Sequence, residues 1–94
     1  MRIEHEPGRF VARIEGQEAE LVYERRDDVL DVHHTYTPPE LRGGAIAAHL
    51  TAAAFEYARA QGLKILPTCS YTRVYVERHP EVRPLVYSSS RSVR

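Results

Sequence analysis

The run Pro38-Pro39-Glu40-Leu41-Arg42-Gly43-Gly44-Ala45-Ile46-Ala47 separates two periodicities. Before it, apolar residues alternate with polar ones; after it, they recur about every 3.6 positions. Proline gives no amide to a strand ladder and restricts the residue before it, so Pro38-Pro39 ends a strand. The small residues that follow lead into a helix.

Working back from that boundary, Val29–Tyr36 is β-branched and aromatic, as a strand requires. Arg26-Asp27-Asp28 is a polar turn before it. Between residues 18 and 25, Ala19, Leu21 and Tyr23 share one face, and Glu18, Glu20 and Glu24 the other. Phe10, Ala12 and Ile14 alternate in the same way, with Gly16-Gln17 as the hairpin turn. Working forward, Ile46, Leu50, Ala53, Ala54 and Tyr57 form one stripe of an alanine-rich helix that stops at Gly62. Leu63–Pro67 reads as a short buried strand. Ser70 can cap a second helix over Tyr71–Arg78, stopped by His79-Pro80. The expected class is α+β, in the order β-β-β-α-β-α.

At 94 residues the chain makes one domain, since two halves would each be too small to bury a core. Residues 1–83 are expected to form it. Residues 84–94, with Ser88-Ser89-Ser90 and two arginines but no acid, read as a flexible tail apart from a short contact at Leu85-Val86-Tyr87. Thirteen basic and thirteen acidic residues give a net charge of zero, which argues against a nucleic-acid binder. The single Cys69 excludes an intrachain disulfide and a multi-thiolate zinc site, and points to a reducing compartment. No metal is expected, because the adjacent His33-His34 pair would be directed apart by a strand. The start of the chain lacks an apolar leader and no membrane-length apolar run occurs, so a cytoplasmic location is expected.

Three places could carry chemistry. Residues 42–47 combine a close-approach loop with the unpaired amides of a helix start, which suits an anion, and Arg42 adds a fork of donors; alternatively Gly43-Gly44 is only a flexible loop and Arg42 a solvated side chain. Cys69 lies between a strand and a helix, where the helix dipole can favour the thiolate; the alternative is a small buried hydrophobe. His33 and His34 occupy adjacent strand positions, so only one can face a cleft and act as a base near neutral pH, and the sequence does not say which.

The Arg42–Ala47 segment resembles the acyl-CoA-binding motif Gln/Arg-x-x-Gly-x-Gly/Ala of the GNAT N-acetyltransferase superfamily. Arg42, Ala45 and Ala47 stand at its three defining positions, with alanine in place of the middle glycine. Thr35, Tyr57-Ala58, Gly62-Leu63-Lys64, Pro67-Thr68-Cys69-Ser70-Tyr71, Tyr75 and His79-Pro80 extend the similarity to the small stand-alone, YjdJ-like acetyltransferases, over roughly residues 5 to 82. The resemblance implies a minimal GNAT-like fold, mostly antiparallel sheet, in which one strand splays from its neighbour and acetyl-CoA lies in the gap. It implies cofactor contacts from Thr37, Arg42, Gly43, Gly44, Ala45, Ile46, Ala47, Cys69 and Tyr71. It also implies catalytic roles for Cys69, as an acetyl carrier, for Tyr75, or Tyr71 one turn earlier, as proton donor to the departing CoA, and for His34 as a base. Arg73 is a candidate for the 3′-phosphate. The acceptor would be an amine, with protein and peptide amines favoured because helices that cap the acceptor side elsewhere in the superfamily have no counterpart in residues 1–37. Neither nucleic acid nor membrane is an expected partner, and the chain is expected as a monomer or weak homodimer. A CoA-binding module without catalysis, and a ligand-free structural domain, are the competing readings.

Overall fold

A computed structural model describes residues 2–43 and 45–87. Five strands form one sheet in the order β1-β2-β3-β4-β5: β1 (Ile3–Glu6), β2 (Arg9–Ile14), β3 (Gln17–Arg26), β4 (Val29–Tyr36) and β5 (Lys64–Pro67). The first four pair antiparallel and β5 joins β4 in parallel. A 3-10 turn (Pro39–Leu41) links β4 to α1 (Ile46–Gln61), and α2 (Ser70–Arg78) follows β5. The chain is α+β, with one strand more than the alternation shows. In β1 only Ile3 is aliphatic, so it carries almost no apolar signal. It is held by charge instead: Glu4 and Glu6 receive Arg13 at 2.8 and 2.9 Å, Glu6 also receives Arg9 at 2.9 Å, and His5 stacks on Phe10 with ring centres 4.1 Å apart.

α1 covers one face of the sheet. Ile46, Leu50, Ala54, Phe55 and Ala58 pack against Phe10, Ala12, Ala19, Leu21, Leu30 and Val32, all buried. The buried stripe is rotated from the expected one, taking in Thr51, Phe55 and Ala58 while leaving Ala53 and Tyr57 half-buried. Phe55 explains the rotation, since it stacks on Tyr75 of α2 with ring centres 5.8 Å apart. The helix stops as expected: Gly62 adopts φ 73°, and Leu63 N–H returns to the Ala58 carbonyl at 2.8 Å, a closure that needs a left-handed residue. Among the described residues, none of the helices is long and apolar enough to cross a membrane.

The other face of the sheet carries no helix in the described residues. There Val11, with no exposed surface, lies between Arg9 and Arg13, which bridge to Glu4, Glu6, Glu18 and Glu20 on both neighbouring strands. The arginine stems exclude water from Val11 while their heads remain in solvent. After α2, a 3-10 segment (Pro80–Leu85) returns to the sheet. Val86 bridges Ile65 in parallel and Tyr87 N–H donates to the Ile65 carbonyl at 2.7 Å; residues 88–94 of the expected tail lie outside the described residues.

Because Arg13 ties β1 to β3 across β2, Arg13→Ala removes the cation that joins Glu4, Glu6 and Glu18 and leaves Arg9 alone to hold Glu6 and Glu18. Hydrogen exchange is expected to speed up over Ile3–Glu6 by about tenfold, with α1 amides unchanged. Equal acceleration throughout would mean that β1 belongs to the same cooperative unit as the core.

Candidate active site

β4 and β5 pair only over Val29–Val32 and Lys64–Pro67. Thr68, the next residue whose amide would reach β4, turns it back to the Leu66 carbonyl at 3.0 Å, and Cys69 N–H makes a last link to the Val32 carbonyl at 2.8 Å. Beyond that link β4 runs on to Tyr36 without a β5 partner, so a gap opens at the centre of the molecule. Thr35 and Thr37 come from its β4 side, Cys69 and Tyr71 from its α2 side.

At one end of the gap is a cavity of about 200 Å³ bordered by Thr37, Arg42, Gly43, Ile46, Ala47 and Tyr71, with Leu41 and Ala48 completing the wall. Six residues singled out from the sequence are thus brought around one space; Gly44 lies outside the described residues. Gly43 takes φ 93°, a left-handed conformation, and a Cβ there would meet nothing within 4 Å. Ala45 has φ −102°, so alanine is unstrained where the motif has glycine. It is also the N-cap of α1, and no side chain caps this end. Among the described residues the first helical amide bonded back belongs to His49, which donates to the Ala45 carbonyl at 2.9 Å, so the amides of Ile46 and Ala47 stand at the open start of the helix. No acidic side chain stands in that first turn to neutralise them. Arg42 is exposed, and its Nε donates to the Thr37 carbonyl at 2.8 Å, tying the loop to the end of β4.

Cys69, not Ser70, is the N-cap of α2. The thiol is half-buried, with Sγ 3.4 Å from Thr35 Oγ1. Burial pushes its pKa up, but the Thr35 hydroxyl, the amides of Thr72 and Tyr71 and the Thr72 hydroxyl together outweigh burial and leave the thiol below its ordinary range. The turn that carries it is braced from both sides. Thr68 Oγ1 donates to buried Asp31 at 2.5 Å, Arg26 holds the other Asp31 oxygen at 2.6 Å, and Arg73 donates to the Thr68 and Pro67 carbonyls at 2.7 and 3.3 Å. Arg73, a sequence candidate for a phosphate, is thereby engaged in holding the turn.

The remaining candidates lie elsewhere. Register shifts between Val22 and Tyr23 leave His33 as an extra residue in β4, and it turns to Glu24 at 3.3 Å. His34 pairs with Val22 and is exposed, whereas Thr35 pairs with buried Leu21, so it is Thr35 that shares the core-side face with Cys69. The structure does not bring His34 to the thiol. Tyr75 is buried in a stack with Phe55 and His79, on the wall of a larger cleft of about 480 Å³ between α1 and the Pro80–Leu85 segment. Tyr71 is the tyrosine that borders the Gly43 loop. Both phenols are pushed up by burial; Glu81 and Tyr71 add to the effect at Tyr75, while Arg78 opposes it at Tyr71. Among the described residues, His, Cys, Asp and Glu form no group able to hold a metal ion. Sequence reasoning did not pick out Thr72 or give Thr35 a role; the three-residue spacing of Cys69 and Thr72 is that of a helix cap and its third helical residue, and would have pointed to the former.

This splayed strand pair, with an uncapped helix start on one side of the gap, has counterparts in other proteins. The solution structure of a protein from Staphylococcus aureus, described as a GCN5-like candidate N-acetyltransferase, superposes with a TM-score of 0.75 over 93% of this chain and 88% of its own, at 26% identity. Protein NATD1 of Homo sapiens is 36% identical over 85 residues, covering 85% of this chain and 75% of the human one. NATD1 of Xenopus tropicalis is equally similar at 36%, with 78% of its length covered. The family model described as GCN5-related N-acetyl-transferase matches residues 9–85, which include every strand of the gap, the Gly43 loop and Cys69. The chain therefore belongs to the GCN5-related N-acetyltransferase family.

Proposed function

We propose that the protein transfers an acetyl group from acetyl-CoA to an amine, with Cys69 as the intermediate carrier. The observation that carries this reading is the position of Cys69: a thiol held below its ordinary pKa at the N-terminus of α2, beside the same gap that the uncapped start of α1 borders. The α1 end fits the diphosphate of CoA, since it offers helix-start amides with no side-chain cap, a positive dipole end, small side chains and no acid in the first turn. The slot between β4 and β5 suits an extended pantetheine arm, and the amides along the unpaired edge of β4 are suited to polarise a thioester carbonyl.

In this route the Cys69 thiolate adds to the thioester carbonyl carbon. A bond forms from Sγ to that carbon, the bond to the CoA sulfur breaks, and its electron pair departs with CoA. In this reading Tyr71, which borders the cavity and whose phenol burial keeps protonated at neutral pH, gives that sulfur a proton and recovers one from solvent. An amine then attacks the acetyl carbon, Cys69 leaves as thiolate, and the proton lost by the amine passes to water. The described residues ahead of α1 hold strands and a 3-10 turn but no α-helix, which leaves the acceptor side open and favours an amine on a protein or peptide.

Two measurements test the reading. Ala45→Glu puts a carboxylate at the start of α1 without backbone strain, and is expected to weaken CoA binding by about tenfold or more, while Ala45→Gln, of the same size and neutral, keeps most of it. Equal loss in both would point to bulk, and no loss in either would remove the diphosphate from this loop. Intact mass after incubation with acetyl-CoA is expected to show one added acetyl group, absent in Cys69→Ala, whose CoA affinity stays within about threefold while turnover falls about a hundredfold or more. Full turnover in Cys69→Ala would make transfer direct and reduce Cys69 to a wall of the gap.

A further inference from the structure

Thr72 has no exposed surface, and its hydroxyl has no hydrogen-bond partner, although it lies in the first turn of a helix where partners are usually at hand. A buried hydroxyl left unpaired costs stability comparable to a lost hydrogen bond, so the site invites a function. Cys69 is the N-cap of α2 and Thr72 is its third helical residue, the spacing at which a side chain reaches back to the cap. From the opposite side Thr35 Oγ1 approaches the same sulfur at 3.4 Å. The sulfur therefore lies between a hydroxyl from β4 and a hydroxyl from α2.

We propose that Thr35 and Thr72 are a pair of positioning residues that hold Cys69 as a thiolate, in place of the basic side chain that a nucleophilic cysteine more often uses. In the thiol form the sulfur keeps its proton and shares one hydrogen bond with Thr35 Oγ1, in which either atom can donate, while the Thr72 hydroxyl is left without a partner. Loss of that proton to solvent turns the sulfur into an acceptor for both hydroxyls and for the Tyr71 and Thr72 amides. The orphan of the resting form becomes a donor of the ionised form. Among the described residues no charged group shares the task. On β4, Asp31 is engaged by Arg26 and Thr68, His33 by Glu24, and His34 is exposed; on α2, Arg73 is bound to the Pro67 and Thr68 carbonyls; on the loop, Arg42 is bound to the Thr37 carbonyl. Tyr71, the remaining titratable neighbour, has its phenol pushed up by burial and stays neutral.

The inference deepens the acetyl-cysteine route but is tested without an acetyl donor. The pH dependence of Cys69 alkylation by iodoacetamide is measured on the wild type, Thr72→Val, Thr72→Ser and Thr35→Val. The rate follows the thiolate fraction, which rises with pH, so a higher pKa slows alkylation near neutral pH and leaves the alkaline plateau unchanged. Thr72→Val is expected to be about tenfold slower near neutral pH with a higher midpoint, Thr72→Ser to match the wild type, and Thr35→Val to shift in the same direction. Thr72→Val is also expected to melt at or above the wild-type temperature, because it deletes an unpaired buried hydroxyl, whereas a hydroxyl with a structural partner would lower it. A Thr72→Val profile that superimposes on the wild type, or a Thr72→Ser profile that shifts with it, overturns the proposal; Thr35→Val supplies the same test should Thr72→Val not fold. Shifted profiles without an acetyl adduct would keep the hydroxyl pair and remove the acetyl carrier, and an adduct with superimposed profiles would do the reverse.

Discussion

The hydrogen bond from Cys69 N–H to the Val32 carbonyl is where two strands stop being a sheet. A parallel ladder has evenly spaced bonds and no intrinsic reason to stop, so an interruption must be imposed by residue chemistry. Here the Thr68 amide supplies it by turning back to the Leu66 carbonyl at 3.0 Å, and buried Asp31 reinforces it by taking the Thr68 hydroxyl at the point of divergence. Breaking the ladder one residue later would pair Cys69 into the sheet; breaking it earlier would release the turn that Arg73 and Asp31 brace. The width of the gap, the exposure of the β4 edge and the place of the thiol all follow from that single interruption.

The two faces of the sheet are held by different physics. Toward α1, aliphatic and aromatic side chains are excluded from water, and burial of each large side chain contributes roughly 1.5–3 kcal/mol. On the other face two arginines and four carboxylates interlock over Val11 across β1, β2 and β3. That arrangement keeps α1 and the gap on one well-packed face. It also explains how a chain of this length supports a five-stranded sheet with so few helices.

Where burial writes a period into the sequence, the fold was legible. β2, β3, β4 and α1 were readable from alternation and from the 3.6-residue stripe, and the glycine stop at Gly62 from its conformational need. β1 was not, because Glu4 and Glu6 hold it by charge and a charged strand resembles a loop. The Gly43 loop and Cys69 were readable from residue types and from likeness to a known family. The histidines were not resolved, because the irregularity opposite Val22 and Tyr23 resets side-chain parity and alternation cannot be counted through it. Ser70 was the expected cap on intrinsic preference, but the backbone turns one residue earlier, and with that shift Thr72 comes into range of the sulfur.

A five-stranded sheet has two edges, and each offers main-chain groups to any passing strand. At one edge, Val86 and Tyr87 of the chain itself bind along Ile65. At the other, β1 carries Glu4 and Glu6 already committed to arginines on β2, so an incoming strand would meet carboxylates before it met amides. The gap between β4 and β5 is thus the place in the described structure where a strand-like guest can find unpaired backbone, and an extended ligand arm is such a guest. The molecule guards its outer edges and leaves an inner one open.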